Sequence, residues 1–322
     1  MVNYKIMSTI YLFLTEESQR YPKIEGIENY SIYRKCGKLM RGLRYLHLRS
    51  GLMKSFKAIW LGEWKNKLDD FSSIAICDSI FDYTPIDFIR KHRPDVRLIC
   101  CFRNRVKEHI DHSIIHRQPD ELRNRYGCEL WSYSQDDCDS YEMKKYNQFH
   151  LIPKYLTEKE VPIQQDVYFI GEDKHRIGRL MDLKSKLEQR GLITKISVVA
   201  DPNMKYTEEE KELITIALPY QTVLDNVLHS RCIIDIVGKV NYGMTYRCLE
   251  AAVLKKKLIT NFVDIKKADF YNKNNIFILG IDDEAKLRDF VMSPFDDIIN
   301  NKLEAYSFPY FCKQIFNFIE SE

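Results

Sequence analysis

No run of eighteen apolar residues occurs in the 322-residue chain, so no membrane-spanning helix is expected. The nine cysteines show no paired spacing. Cys100 and Cys101 are adjacent and the others are scattered. An odd count with apolar neighbours points to reduced thiols in a cytosolic protein. A dominant charge is also missing: 49 Lys and Arg stand against 46 Asp and Glu, a formal net +3. The chain as a whole therefore carries no nucleic-acid signal, and no nucleic-acid partner is expected. There is no low-complexity tract. What is present is 45% hydrophobic and 30% charged, the profile of a soluble globular protein with a sizeable core. The length suits two domains.

The opening MVNYKIMSTIYLFLTEESQ lacks a small-residue cleavage site, so Lys5 to Leu14 reads as a first strand and not as a signal peptide. No G-x-G-x-x-G turn follows it, which counts against a dinucleotide-dependent dehydrogenase or epimerase. From Asn29 to Gly62 there is no acidic residue. Eight cations (Arg34, Lys35, Lys38, Arg41, Arg44, Arg49, Lys54 and Lys57) alternate with Tyr30, Tyr33, Tyr45, Phe56 and Trp60. Leu39, Leu43 and Leu46 add helical apolar spacing. The segment reads as a basic amphipathic surface for an anionic membrane, as solvated helices packed on a sheet or, third, as an RNA-binding patch.

Ser73 to Cys77 and Val96 to Phe102 read as buried strands, and Asp78 stands at the carboxyl end of the first. Asp78 is either a substrate-contacting residue or a helix cap. His109, His112 and His116 share a helical face, but no complete ligand set accompanies them, and no metal site is expected. Asp137-Cys138-Asp139 is a D-x-D word within Ser134 to Asp139, a stretch that reads better as an acidic, capped helix start. Leu151 to Gln165, with two prolines, is a linker. Domains are expected at 1–155 and 156–303, with a closing helix over 304–322.

The second half repeats the strand–helix alternation. Asp166 to Ile170 is a strand, Gly171 to Arg176 a polar turn, Ile177 to Gln189 a helix and Gly191 its terminating glycine. Pro219-Tyr220 opens the helix before His229. The stretch 229–262, HSRCIIDIVGKVNYGMTYRCLEAAVLKKKLITNF, reads as strand, loop, helix, strand. Its helix places Arg247 and Glu250 three apart on one face. At a helix N-terminus on the carboxyl edge of a parallel sheet, that pair offers a cation for phosphate beside a carboxylate for ribose. The same spacing also describes an ordinary solvated surface pair.

With both halves read, the chain resembles bacterial glycosyltransferases of capsule and lipopolysaccharide biosynthesis with the GT-B architecture. The resemblance rests on DVYFIGEDKHRIGRL, YQTVLDNVLHSRCIIDIV, GMTYRCLEAAVLKKKLITN and DFYNKNNIFIL, and in the first half on IAICDS and LWSYSQDDCDSYEMKKYNQFH. It implies an α/β fold of two doubly wound Rossmann-like domains facing a central cleft, with the acceptor on the N-terminal domain and a nucleotide sugar on the C-terminal one. It implies Glu250 on the ribose, Lys174, Arg176 and Arg247 on the diphosphate, and Gly243, Met244 and Thr245 supplying helix amides. Gly171 and Tyr220 complete the implied donor site. No cofactor and no metal are implied, because fixed cations and amides can stabilise the leaving diphosphate. Tyr242 stands eight before Glu250, where many retaining relatives carry a second Glu, and the N-terminal glycine-rich loop is absent. For an inverting reaction Asp78 is the first candidate base and His112 the second. The expected function is transfer of a sugar to a growing surface glycan or lipid-linked acceptor, in the cytoplasm or at the inner membrane face. A silent nucleotide-sugar-binding subunit is the alternative.

Overall fold

The computed structural model describes residues 11–15, 18–50, 54–77, 82–106, 119–238, 244–298 and 300–317. Asp78, His109, His112, His116 and Gly243 lie outside them. The chain divides into two compact units, residues 1–147 with 308–322, and residues 148–307. The division falls before the boundary expected after residue 155, and the closing helix belongs to the first unit.

The first unit is a six-stranded parallel sheet. Its strands are β1 (Tyr11–Thr15), β2 (Ile27–Ser31), β3 (Ser73–Ile76), β4 (Arg97–Phe102), β5 (Glu129–Ser132) and β6 (Lys144–Lys145), in the order β2-β1-β3-β4-β5-β6. Helices α1 (Lys38–Arg49), α2 (Thr84–His92), α3 (Pro119–Tyr126) and α4 (Gln135–Tyr141) fall between strands. β3 and β4 are continuous apolar runs because a parallel sheet is covered on both faces. Alternation along β1 separates those faces. Leu12 and Leu14 join Ile86 and Ile89 of α2, Leu122 of α3 and Trp64. Phe13 turns the other way, its ring 5.2 Å from Phe308 and 6.0 Å from Phe311. Those two belong to α9 (Phe308–Phe316), whose buried Phe308, Phe311, Cys312, Ile315 and Phe316 recur at helical spacing.

The second unit holds β7 (Gln165–Glu172), β8 (Thr194–Val199), β9 (Ile214–Thr215), β10 (Ser230–Asp235), β11 (Lys257–Thr260) and β12 (Ile276–Ile278). The order is β12-β11-β10-β7-β8-β9, parallel throughout. On one face α5 (Ile177–Glu188) lays Ile177, Leu180, Leu183 and Leu187 against Val167 and Phe169. Gly191 ends that turn at φ +71°, a left-handed value that costs glycine nothing. On the other face α6 (Tyr220–Leu228) and α7 (Tyr246–Val253) cover Tyr168, Ile170 and Ile233. α8 (Leu287–Met292) adds Leu287 and Val291 to the α5 side. The strand order reverses between β7 and β10, so their carboxyl ends open a crevice where the connections diverge.

Among the described residues, no helix is long and apolar enough to cross a membrane.

Candidate functional site

The crevice between β7 and β10 gathers Arg176, Arg247 and Glu250. Two guanidinium groups converge over Phe169, with Arg176 5.0 Å and Arg247 4.9 Å from its ring centroid. Arg176, at the start of α5, is buried and donates to Ile236 O at 2.6 Å and twice to Glu172 O. Arg247, in the first turn of α7, donates to Ile170 O. Each arginine thus ties a helix start to a strand end. Burial, followed by the neighbouring Arg247, pulls the Arg176 pKa down to about 10, still far above neutrality.

Gly171 makes this convergence possible. A Cβ there would stand 2.5 Å from one Nη of Arg247 and 2.9 Å from one of Arg176. Its backbone dihedrals suit any residue, so the requirement is space and not conformation. We predict that Gly171→Ala folds but displaces both guanidinium groups, at an overpacking cost of about 1 to 3 kcal/mol. Affinity for the nucleotide that the sequence resemblance implies, read by calorimetry, should fall by about tenfold, the loss of roughly one charge-assisted hydrogen bond. Unchanged affinity would remove both arginines from the ligand's reach.

One helical turn beyond Arg247, Glu250 is buried and accepts a hydrogen bond from Tyr220 Oη at 2.9 Å. Burial raises its pKa, against the opposing pull of Arg247. Burial raises that of Tyr220 further, with Glu250 adding to it. The phenol is the donor of the pair and a Glu250 carboxyl oxygen its acceptor. The solvated-surface alternative for Arg247 and Glu250 is excluded by this burial. Thr245 caps α7, its hydroxyl accepting from the Arg247 amide at 3.2 Å. Met244 packs partly buried beside the same core.

Lys174 is placed differently. It sits in the turn after β7 with φ 45°, and His175 follows at φ 59°. Two consecutive left-handed non-glycine residues store strain of order 1 to 3 kcal/mol each. The Lys174 side chain is 64% exposed, and its amine pairs with Glu172 at 3.4 Å. It shares the loop with Arg176 but not its burial.

Two carboxylates of this crevice were not expected from the sequence. Asp173 is fully buried and accepts from the Arg176 and Ile177 amides at 3.0 and 2.8 Å, fixing the start of α5. Asp235, the last residue of β10, is fully buried. Its Oδ2 accepts from the Cys248 thiol at 3.4 Å, while its Oδ1 has no hydrogen-bond partner and lies 3.9 Å from Arg247. The only signal for it was an acid inside an otherwise apolar strand.

The D-x-D word is structural. Ser134 caps α4 by accepting from the Asp137 amide. Asp137 is buried, its carboxylate accepting from the Ser132 hydroxyl at 3.1 Å and the Val106 amide. Asp139 is exposed and holds Gln135. Among the described residues no group of three or more His, Cys, Asp or Glu is arranged to hold a metal ion.

No protein-family profile matches the sequence, and no curated protein matches it. Solved structures do. The chain is similar to an alpha-glucosyltransferase in complex with UDP and a 13-mer DNA containing an HMU base, with TM-score 0.52 and 12% identity over 96% of this chain and 98% of that one. It is more distantly similar to UDP-GlcNAc 2-epimerase from Methanocaldococcus jannaschii, with TM-score 0.44 and 12% identity over 96% and 98% of the two chains. A third match is Anabaena HepE in complex with UDP and glucose, with TM-score 0.43 and 10% identity over 96% and 98%. The first likeness shows the fold alone, two Rossmann-like units of the GT-B class; the other two carry no argument.

Proposed function

We propose that the second unit binds a nucleotide sugar at the β7–β10 crevice, and that the protein transfers the sugar to an acceptor. The observation that carries this reading is the convergence of Arg176 and Arg247 on Gly171, with buried Glu250 one turn along the same helix. A guanidinium has five donors in a fixed fork. Arg176 commits three of its N–H groups to Ile236 O and Glu172 O, and Arg247 one to Ile170 O. The remaining donors face a diphosphate, and the free oxygen of Glu250 faces the ribose hydroxyls. Lys174 adds a solvent-side cation. Met244 and Thr245, with Gly243 before them, bring the start of α7 to the phosphates.

Breaking the sugar–phosphate bond builds charge on the leaving diphosphate. Fixed cations aimed there lower the barrier more than they strengthen ground-state binding. With that charge met by arginines, transfer is proposed to persist in chelator. The acceptor is proposed to be a growing surface glycan or a lipid-linked glycan, with Asp78 as base. Membership in capsule or lipopolysaccharide assembly rests on the resemblance of the quoted segments.

Thermal shift tests the donor site. UDP and UDP-glucose are the first probes, since UDP is the nucleotide of the alpha-glucosyltransferase neighbour. A ligand at a hundredfold its dissociation constant stabilises by about 2.7 kcal/mol. Glu250→Ala should weaken the nucleotide by about ten- to a hundredfold, the loss of a hydrogen bond to a charged group. No shift with any nucleotide sugar would sink the reading. A shift without slow donor hydrolysis would leave only the silent binding subunit.

A further inference from the structure

In α1, Leu39, Leu43 and Leu46 stand at i, i+4 and i+7, the spacing that ordinarily turns a helix face toward a core. Here that face is exposed: Leu39 is 79% and Leu46 66% accessible, with Leu43 and Met40 also outward. The buried residue of α1 is Leu48, about half a turn around from Leu39. Phe56 and Ile59 in the following 3-10 segment, Lys54–Trp60, are exposed as well. The first unit therefore shows solvent a cluster of large apolar side chains, which marks an interaction surface.

The cations sort by their contacts. Lys57 is buried against Leu48 O and Asp82, and Arg44 donates to Arg34 O and stacks on Tyr33, so both serve the fold. Arg34 is exposed but lies over Trp60. Arg49 pairs with Tyr45. Lys35, Lys38 and Arg41 are exposed, Lys38 at the edge of the leucine stripe and Arg41 further round the helix, and no acidic residue occurs between Asn29 and Gly62.

We propose that the exposed face of α1 docks on the surface of an anionic phospholipid bilayer. An amphipathic helix in the interface plane needs an outward apolar stripe with cations within reach of the same surface; α1 carries the stripe, and the segment around it carries exposed cations without any acid. A second copy of this chain is disfavoured because the patch would meet its own positive charge. A nucleic acid would engage the cations but leaves the leucine stripe without a role.

Co-sedimentation with vesicles tests this independently of the donor site. The protein should bind vesicles of phosphatidylcholine mixed with phosphatidylglycerol, ignore phosphatidylcholine alone, and dissociate as salt rises. Each cation near the surface is worth about fivefold in affinity. Lys35→Gln, Lys38→Gln and Arg41→Gln together should therefore cost about a hundredfold. Leu39→Gln, Leu43→Gln and Leu46→Gln together should cost about tenfold or more at unchanged charge. Because all six side chains are exposed, both variants should keep the wild-type melting temperature and the UDP shift. The proposal is overturned if wild-type protein ignores anionic vesicles at low salt, or if the leucine variant binds as wild type does. It is likewise overturned if duplex DNA binds more tightly than vesicles and the leucine variant does not alter that binding.

Discussion

Arg247→Ala is expected to weaken UDP binding by about a hundredfold or more, while leaving the protein folded. Charge-assisted hydrogen bonds are worth about 1.5 to 3 kcal/mol each, and a guanidinium meets a phosphate through two. The cost to the fold is smaller. Arg247 gives up one bond to Ile170 O, its place over Phe169 and its pairing with Asp235, which Arg176 still faces, together on the order of 2 to 3 kcal/mol. The transfer rate should fall further than the affinity, because the diphosphate is more anionic as the bond breaks. Arg247→Lys should recover little, since a single ammonium cannot reproduce the fork that spans Phe169 and the strand end. Calorimetry with UDP and a donor-hydrolysis assay read the two quantities. Equal, small losses in both would place Arg247 outside the site and leave it a brace between α7 and β7.

The strands and the site were legible to different depths. Buried parallel strands announce themselves as apolar runs, and β3 and β4 fall within a residue of where the sequence puts them. β2 and β6 do not announce themselves. Ile27–Ser31 carries Glu28 and Asn29, and Lys144–Lys145 is two exposed lysines, because edge strands need only one neighbour. The Arg247–Glu250 spacing was readable because a helix makes three-apart residues neighbours. Arg176 meeting Arg247 followed from the resemblance and not from spacing, since nothing local links a turn after β7 to a helix after β10. Only the strand order brings them together.

The run Lys255-Lys256-Lys257 is uniform in sequence but not in place. Lys255 takes a left-handed turn (φ 53°) and pairs with Asp297, whereas Lys257 lies in β11, buried, its amine reaching Asn274 O and Ser293 Oγ. A long stem lets a lysine occupy a strand while its charge finds partners elsewhere. The leucine stripe of α1 fails in the opposite sense. Its periodicity is that of a core-facing helix, and periodicity alone does not say which way the face turns.

Asp235 has the second large expected effect. A fully buried carboxylate with one oxygen lacking a hydrogen-bond partner is costly unless opposite charge compensates it. Here the compensation is the guanidinium pair. Arg176 and Arg247 are positive, Asp235 and Glu250 are their nearby buried acids, and Asp173 is already satisfied by helix amides and Tyr206. Asp235→Asn keeps the shape and an acceptor for the Cys248 thiol but leaves two adjacent cations with one fewer counter-ion. Removing one partner of a buried pair costs about 3 to 5 kcal/mol, so the melting temperature of the free protein should drop by several degrees. The same change makes the crevice more positive toward a diphosphate. UDP should therefore bind Asp235→Asn more tightly than wild type, and its stabilising shift should grow although the free protein is weaker. A lower melting temperature together with a diminished UDP shift would mean that Asp235 holds Arg247 in its binding geometry and does not merely offset its charge. An unchanged melting temperature would show that the pair at 3.9 Å contributes nothing to the fold.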